Sequence, residues 1–271
     1  QATFPANDVA NPKDGHYAFT NASIVKDAQT TVQNATLLVR QGKIVAVGNN
    51  ITIPKDAVII DCSGKFIYPA FIDIYSDYGI TVANAQQQNF TSAAAFFRTQ
   101  QPETEAYKIF TADEAKAKAL RDIGFGSVLT HQKDGIARGS GAFVTLAAQP
   151  DNFVILKDKA SAHYSFSKGS SSQSYPGSMM GMIALLRQTY LDAQWYKTNP
   201  VTEGVNLSLK NWNDNQSLPQ IFEANDKWND LRADKIGDEF GVQYIIKGGG
   251  NEYQRIKEIT DSKASFILSL N

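Results

Sequence analysis

The chain has 271 residues, 42% hydrophobic and 20% charged, with a formal net charge of −1. That composition suits a globular protein with a substantial core, as one large domain or a barrel with a small companion, and leaves no basic field to draw nucleic acid or anionic lipid. A single cysteine, Cys62, excludes an internal disulfide and a cysteine-built zinc site, and no apolar run approaches the roughly 20 residues of a membrane span.

Residues 1–16, with Pro5, Asn7, Asn11, Pro12 and Gly15, read as an irregular arm, and His16 in it as a surface residue. The opening Gln1-Ala2-Thr3, in place of Met, suits a processed chain whose signal peptide has been removed, so a periplasmic or extracellular location is expected. Asn-x-Ser/Thr triplets at Asn21, Asn34, Asn50, Asn89, Asn206 and Asn215 would accept glycans in a eukaryotic secreted protein, or arise by chance on an Asn-rich surface.

From Tyr17 the text is short and β-like. Tyr17–Val25, Thr31–Arg40, Lys43–Val47, Ala57–Asp61 and Lys65–Ile67 are strand candidates divided by Gly and Asn turns, which predicts a small β-sandwich-like domain over 17–67. Residues 68–271 change style. Phe71–Tyr75 is an apolar run suited to a buried parallel strand. Ala112–Ile123 is a helix capped by Thr111 and ended by Gly124, followed by strands at Gly126–Thr130 and Ala142–Ala147. Ser178–Tyr196 is the longest helix. Its Met179-Met180-Gly181-Met182 cluster suggests core packing before a soft-metal site. Gln220–Ala224, Lys227–Phe240, Val242–Ile246, Asn251–Ile259 and Ser265–Leu270 then alternate strand and helix, which predicts right-handed crossovers and a parallel sheet or barrel. Asn84–Pro102 and Ser165–Ser174 read as long loops. The run Gly135-Ile136-Ala137-Arg138-Gly139-Ser140-Gly141 offers backbone N–H groups and Arg138 to an anion, or is a flexible connection. Roughly seven barrel-type strands can be counted, one fewer than closes an eight-stranded barrel. The expectation is that the chain is part of a longer polypeptide.

Phe19-Thr20-Asn21-Ala22-Ser23-Ile24-Val25, the hairpin Gln41-Gly42-Lys43-Ile44-Val45, the turn Asp61-Cys62-Ser63-Gly64-Lys65 and the strand Pro69-Ala70-Phe71-Ile72-Asp73 together resemble the N-terminal part of the amidohydrolase superfamily, in particular its imidazolonepropionase-like branch. The resemblance implies an α/β fold, a (β/α)8-type TIM barrel, incomplete in this chain, beside a small β-sandwich. It also implies hydrolysis of C–N bonds by Zn²⁺ or another divalent metal whose bound water is acidified. The family's His-x-His positions on the first barrel strand fall here on Tyr75 and Asp77. Its histidines of the fifth and sixth strands fall within Phe222-Glu223-Ala224-Asn225 and Lys247-Gly248-Gly249-Gly250, and its aspartate of the eighth strand lies past Asn271. No metal ligand and no cofactor is therefore expected.

Flanking Ser76, Tyr75 and Asp77 would share one face of a strand and, with Glu223, form an acidic pocket for a hard cation, or stand as polar fillers of a vestigial site. His131, after a strand, sits where a barrel site opens and could be a base, with a hydrogen-bonded structural histidine as the plainer reading. His163 reads as a surface residue near the Ser-rich loop. The candidates are thus His131, Asp77 and Glu223 for catalysis, and Tyr75, Arg138, Asn225 and Lys247 for substrate binding. The expected function is a non-catalytic amidohydrolase-like module that scaffolds or pairs with a further amidohydrolase domain or a missing C-terminal segment. The alternatives are a C–N hydrolase with an atypical metal site and a small-molecule binding module.

Overall fold

The computed structural model describes residues 15–81, 100–171, 173–199 and 204–268. The arm up to residue 14, Asn89 and most of the loop from Asn84 lie outside the described residues. The chain divides at Ala70 and Phe71 into two compact units.

In the first unit β1 (His16–Val25), β2 (Thr31–Arg40) and β3 (Lys43–Gly48) form an antiparallel meander, while β4 (Val58–Asp61) and β5 (Phe66–Ile67) run parallel to β1. Gln41 and Gly42 take φ of 50° and 70°, the left-handed pair that a two-residue hairpin loop demands. Among the described residues this unit is one sheet rather than two packed layers. Its core is one-sided, with Ala22, Ile24, Ala35 and Cys62 buried against Phe19, Val32 and Leu37. Ile44, Val45, Val58, Ile59 and Phe66 stay more than half exposed. His16 is not an arm residue on the surface: it opens β1, is 8% exposed, and its Nδ1 lies 2.7 Å from an Asp56 carboxylate oxygen.

In the second unit seven strands pair in chain order: β6 (Phe71–Ser76), β7 (Phe125–Thr130), β8 (Ala137–Thr145), β9 (Ile155–Ser165), β10 (Gln220–Glu223), β11 (Tyr244–Lys247) and β12 (Ser265–Ile267). Among the described residues β6 and β12 are the two edges, so the sheet is not closed into a barrel. Nor is it wholly parallel. β8 runs antiparallel to β7 and β9, and every other pairing is parallel. The glycine-rich run read as a flexible connection is therefore largely a strand. Its glycines hid it: a Cβ on Gly139 (φ 78°) would stand 1.9 Å from the Thr104 carbonyl oxygen. Ser140 N–H donates to that same carbonyl at 2.9 Å, so the missing side chain is what lets Thr104 close on the strand.

The helices are α1 (Ala106–Ile109), α2 (Glu114–Asp122), α3 (Asp151–Val154), α4 (Met179–Thr198), α5 (Leu207–Asn215), α6 (Lys227–Phe240) and α7 (Ile256–Ser262), the last preceded by a 3₁₀ turn at Glu252–Arg255. Two caps differ in interest. Asp113, not Thr111, caps α2 by accepting from Lys116 N–H, which moves its start two residues along. Ser178 caps α4 as its sequence implies. Helix α5 has an Asn-rich text without a helical signature, and it forms around Trp212, buried among Tyr164, Tyr190 and Phe222. The glycan reading fails at Asn215, which is 4% exposed and donates to the Pro102 carbonyl. In the methionine cluster Met182 packs against the core while Met180 is 77% exposed.

Helix α6 is held at its start by Asp226, whose carboxylate accepts from the N–H groups of Trp228 and Asn229 at 2.8 and 3.2 Å. Asp226→Ala should cost about 1–2 kcal/mol in urea unfolding. A loss below a few tenths would show that water caps this end equally well.

Candidate functional site

The predicted candidates come mainly from strand ends and the loops after them. Tyr75 ends β6, His131 follows β7, Arg138 opens β8, Glu223 ends β10 and Lys247 ends β11. Arg138 is the hub. Its guanidinium is 3% exposed and reaches three acceptors: the Gly135 carbonyl at 3.1 Å, the Tyr75 hydroxyl at 2.9 Å and the Glu223 carboxylate at 2.7 Å. One planar fork thus ties strand β10 to β6 through charge-assisted bonds, a geometry an ammonium does not reproduce.

The Tyr75 ring carries the rest. His131 lies 4.6 Å from it between ring centroids, and the ammonium groups of Lys133 and Lys247 stand 5.2 and 5.8 Å from its centroid. Burial pushes the Tyr75 hydroxyl well above the ordinary phenol range, so at neutral pH it is a neutral group. Asp77 does not join this centre: it is 65% exposed and pairs with Lys133 at 3.3 Å. Asn225 is exposed, and its carbonyl lies under Gly249 in the next turn.

His163 is the residue that sequence reading missed. It is 1% exposed, on strand β9, and stacks on His131 with centroids 3.6 Å apart and planes 6° from parallel. The sequence predicts no strand at Ile155–Ser165, because the charged residues Lys157, Asp158 and Lys159 mask its apolar alternation. Gly141 makes room for the pair, since a Cβ there would stand 2.7 Å from His163 Nε2. His131 is not the hydrogen-bonded structural histidine of the plainer reading either. Both its ring nitrogens, and Nδ1 of His163, lack a partner among the described residues, and only Ser161 Oγ reaches His163 Nε2, at 2.7 Å. Burial first, with the neighbouring cations Arg138 and Lys133 adding to it, holds both imidazoles well below the ordinary range, so both are neutral.

The oxygen donors at the centre are already engaged within the chain. Glu223 is taken by Arg138, Asp77 by Lys133, and the Tyr75 hydroxyl accepts from Arg138. Among the described residues no three His, Cys, Asp or Glu side chains converge to hold an ion. A groove of about 760 Å³ between α6 and α7, lined by Trp228, Arg232 and Glu258, shares no residue with this cluster.

Fold and site together define a mixed α/β protein with an amidohydrolase-like fold and a cation-rich centre. Its structure is similar to that of an amidohydrolase from Thermotoga maritima MSB8, with a TM-score of 0.76 at 22% identity over 94% of this chain and 70% of that one. A prolidase solved with N-methylphosphonate-L-proline (15% identity, TM-score 0.43) and a Xaa-Pro dipeptidase with bound methionine (12%, 0.43) align far more loosely, over 94% and 93% of this chain and 66% of each of theirs. No protein-family model and no curated protein matches the sequence. No helix among the described residues is long and apolar enough to cross a membrane.

Proposed function

We propose that this chain is an amidohydrolase-like module of the amidohydrolase superfamily that does no metal-dependent hydrolysis and acts by pairing with another amidohydrolase-like domain or chain segment. One observation carries the first half. Arg138, a cation of the chain itself, sits between Tyr75, at a position that the family resemblance gives to a metal ligand, and Glu223, within the stretch where it places another. A divalent ion brought there would face a fixed guanidinium across a low-dielectric site, and like charges at such distances repel strongly. The pairing half is supported by apolar side chains left in water. Ile44 and Val45 on β3, Val58 and Ile59 on β4 and Phe66 on β5 are exposed by 55–66%, more large apolar side chains in water than so small a sheet needs.

Metal content after exposure to Zn²⁺, Mn²⁺ and Ca²⁺ and desalting tests the first half. Less than about 0.1 ion per chain is expected, since removing an ion's ligands removes its site. Near-stoichiometric Zn²⁺ or Mn²⁺ would restore the alternative of a C–N hydrolase with an atypical site. For the second half, sedimentation should show self-association or partner capture that Ile59→Lys abolishes. A monodisperse, cooperatively folded monomer at all concentrations would remove the pairing role.

A further inference from the structure

Charge at the strand ends has the wrong sign for a metal and the right sign for an anion. Three cations and one carboxylate gather around Tyr75, Lys133, Arg138 and Lys247 against Glu223, while Asp77 lies outside in solvent, paired with Lys133. Among the described residues Asp77 and Glu223 are matched to Lys133 and Arg138, and Lys247 forms no ion pair, donating to the Gly248 carbonyl at 2.9 Å and acting on the buried Asp230 through its field alone. The Lys133–Asp77 pair is solvent-exposed and therefore weak, so its ammonium is easily drawn to a competing anion. His131 lies against the same ring, its centroid 4.6 Å away, fully buried and with neither ring nitrogen hydrogen-bonded among the described residues. A neutral imidazole has one N–H to donate, and a buried donor left unpaired costs enough that native proteins rarely tolerate it.

We infer that the C-terminal end of the β6–β11 sheet binds a small oxyanion, a carboxylate or phosphate group, held between Lys133 and Lys247 over the Tyr75 ring. The flat ring is the neighbour that the two ammonium groups share. The two ammonium groups supply the charge, and the His131 imidazole beside the ring supplies a neutral N–H. The binding rests on the reading that no metal occupies this centre, and it does not depend on pairing with another domain.

The test is calorimetry on the chelator-treated full chain at constant ionic strength, with acetate, succinate and inorganic phosphate as probes. Expected is saturable binding of at least one of them at one site per chain, accompanied by a shift of the His131 ring nitrogens in ¹⁵N spectra. Lys133→Met with Lys247→Met should weaken binding at least tenfold, while Lys133→Arg with Lys247→Arg retains it. Circular dichroism of the methionine variant confirms that it is folded. Lys197→Met, at the distant end of α4, should leave the affinity unchanged. Absent saturation, equal affinity in the methionine variant, or an equal loss in Lys197→Met would each overturn the inference. Should the preparation instead retain Zn²⁺ before chelation and bind anions only with it, the metal-free reading of the centre fails, and this is separable from simple absence of anion binding.

Discussion

Arg138→Met is expected to lower the free energy of unfolding by about 2–4 kcal/mol, a large share of what holds a domain of this size folded. The methionine fills much of the same volume, so the loss comes from three acceptors rather than from a cavity. The Tyr75 hydroxyl and the Glu223 carboxylate lose the guanidinium as donor at once, and the Gly135 carbonyl keeps only Ser165 Oγ, at 2.9 Å. Glu223 keeps 23% exposure and can draw on water, which is why the effect should fall short of a fully buried pair. Arg138→Lys should recover part of the loss, because an ammonium keeps the charge without the three-pronged reach. Arg138→Met with Glu223→Gln should recover about half or more, since the stranded charge is then gone. Urea unfolding followed by tryptophan fluorescence measures all three. A loss under about 1 kcal/mol for Arg138→Met would mean that the hub is ornamental and that β6 and β10 are held by the sheet alone.

The strands of the first unit and the long helices were legible because they rest on local signals. Asn and Gly turns separate Thr31–Arg40 from its neighbours, Ser178 caps α4, and Lys227–Phe240 carries its full helical period. What escaped was set by tertiary context. Strand β8 is legible from Ala142 on, but its start up to Gly141 reads as a glycine-rich loop because its small residues answer to Thr104 and to His163, partners far away in the chain. Over strand β9 the sequence predicts no element, and His163 reads as a surface residue beside the Ser-rich loop. At the site, the positions of Tyr75, Glu223 and Lys247 followed from strand ends. That Arg138 would join the first two, and that two histidines would stack beneath, depended on an antiparallel insertion that no periodicity announces. Asp77 and Asn225 show the converse: their positions on the sequence are right for a site, yet their side chains lie in water.

Asp230→Asn is expected to stabilise the protein above neutral pH. Asp230 lies in the first turn of α6, is fully buried, and both carboxyl oxygens lack a hydrogen-bond partner among the described residues. Burial above all, then the carboxylates of Glu252 and Asp226, raise its pKa from 3.8 to about 7, against a smaller opposing pull from Lys247. The folded chain therefore keeps a proton up to about pH 7 that the unfolded chain releases near pH 4. Between those values the folded state binds more protons, so stability falls as pH rises, and the whole penalty is present above about 7. Asn holds nearly the same shape and never ionises. The variant should approach the wild type below about pH 4 and exceed it by a few kcal/mol at pH 8, since each tenfold difference in proton affinity between folded and unfolded chain is worth about 1.4 kcal/mol. Taking the difference between variant and wild type across pH cancels the opposite trend of His131 and His163, whose depressed pKa values destabilise the fold as pH falls through the ordinary histidine range. Glu252→Gln should give a smaller gain of the same sign, because it removes one neighbouring charge and leaves the burial. A variant less stable than the wild type at every pH would give Asp230 a different part: a charged partner that Lys247 requires, and a carboxylate that the strand ends use in its ionised form.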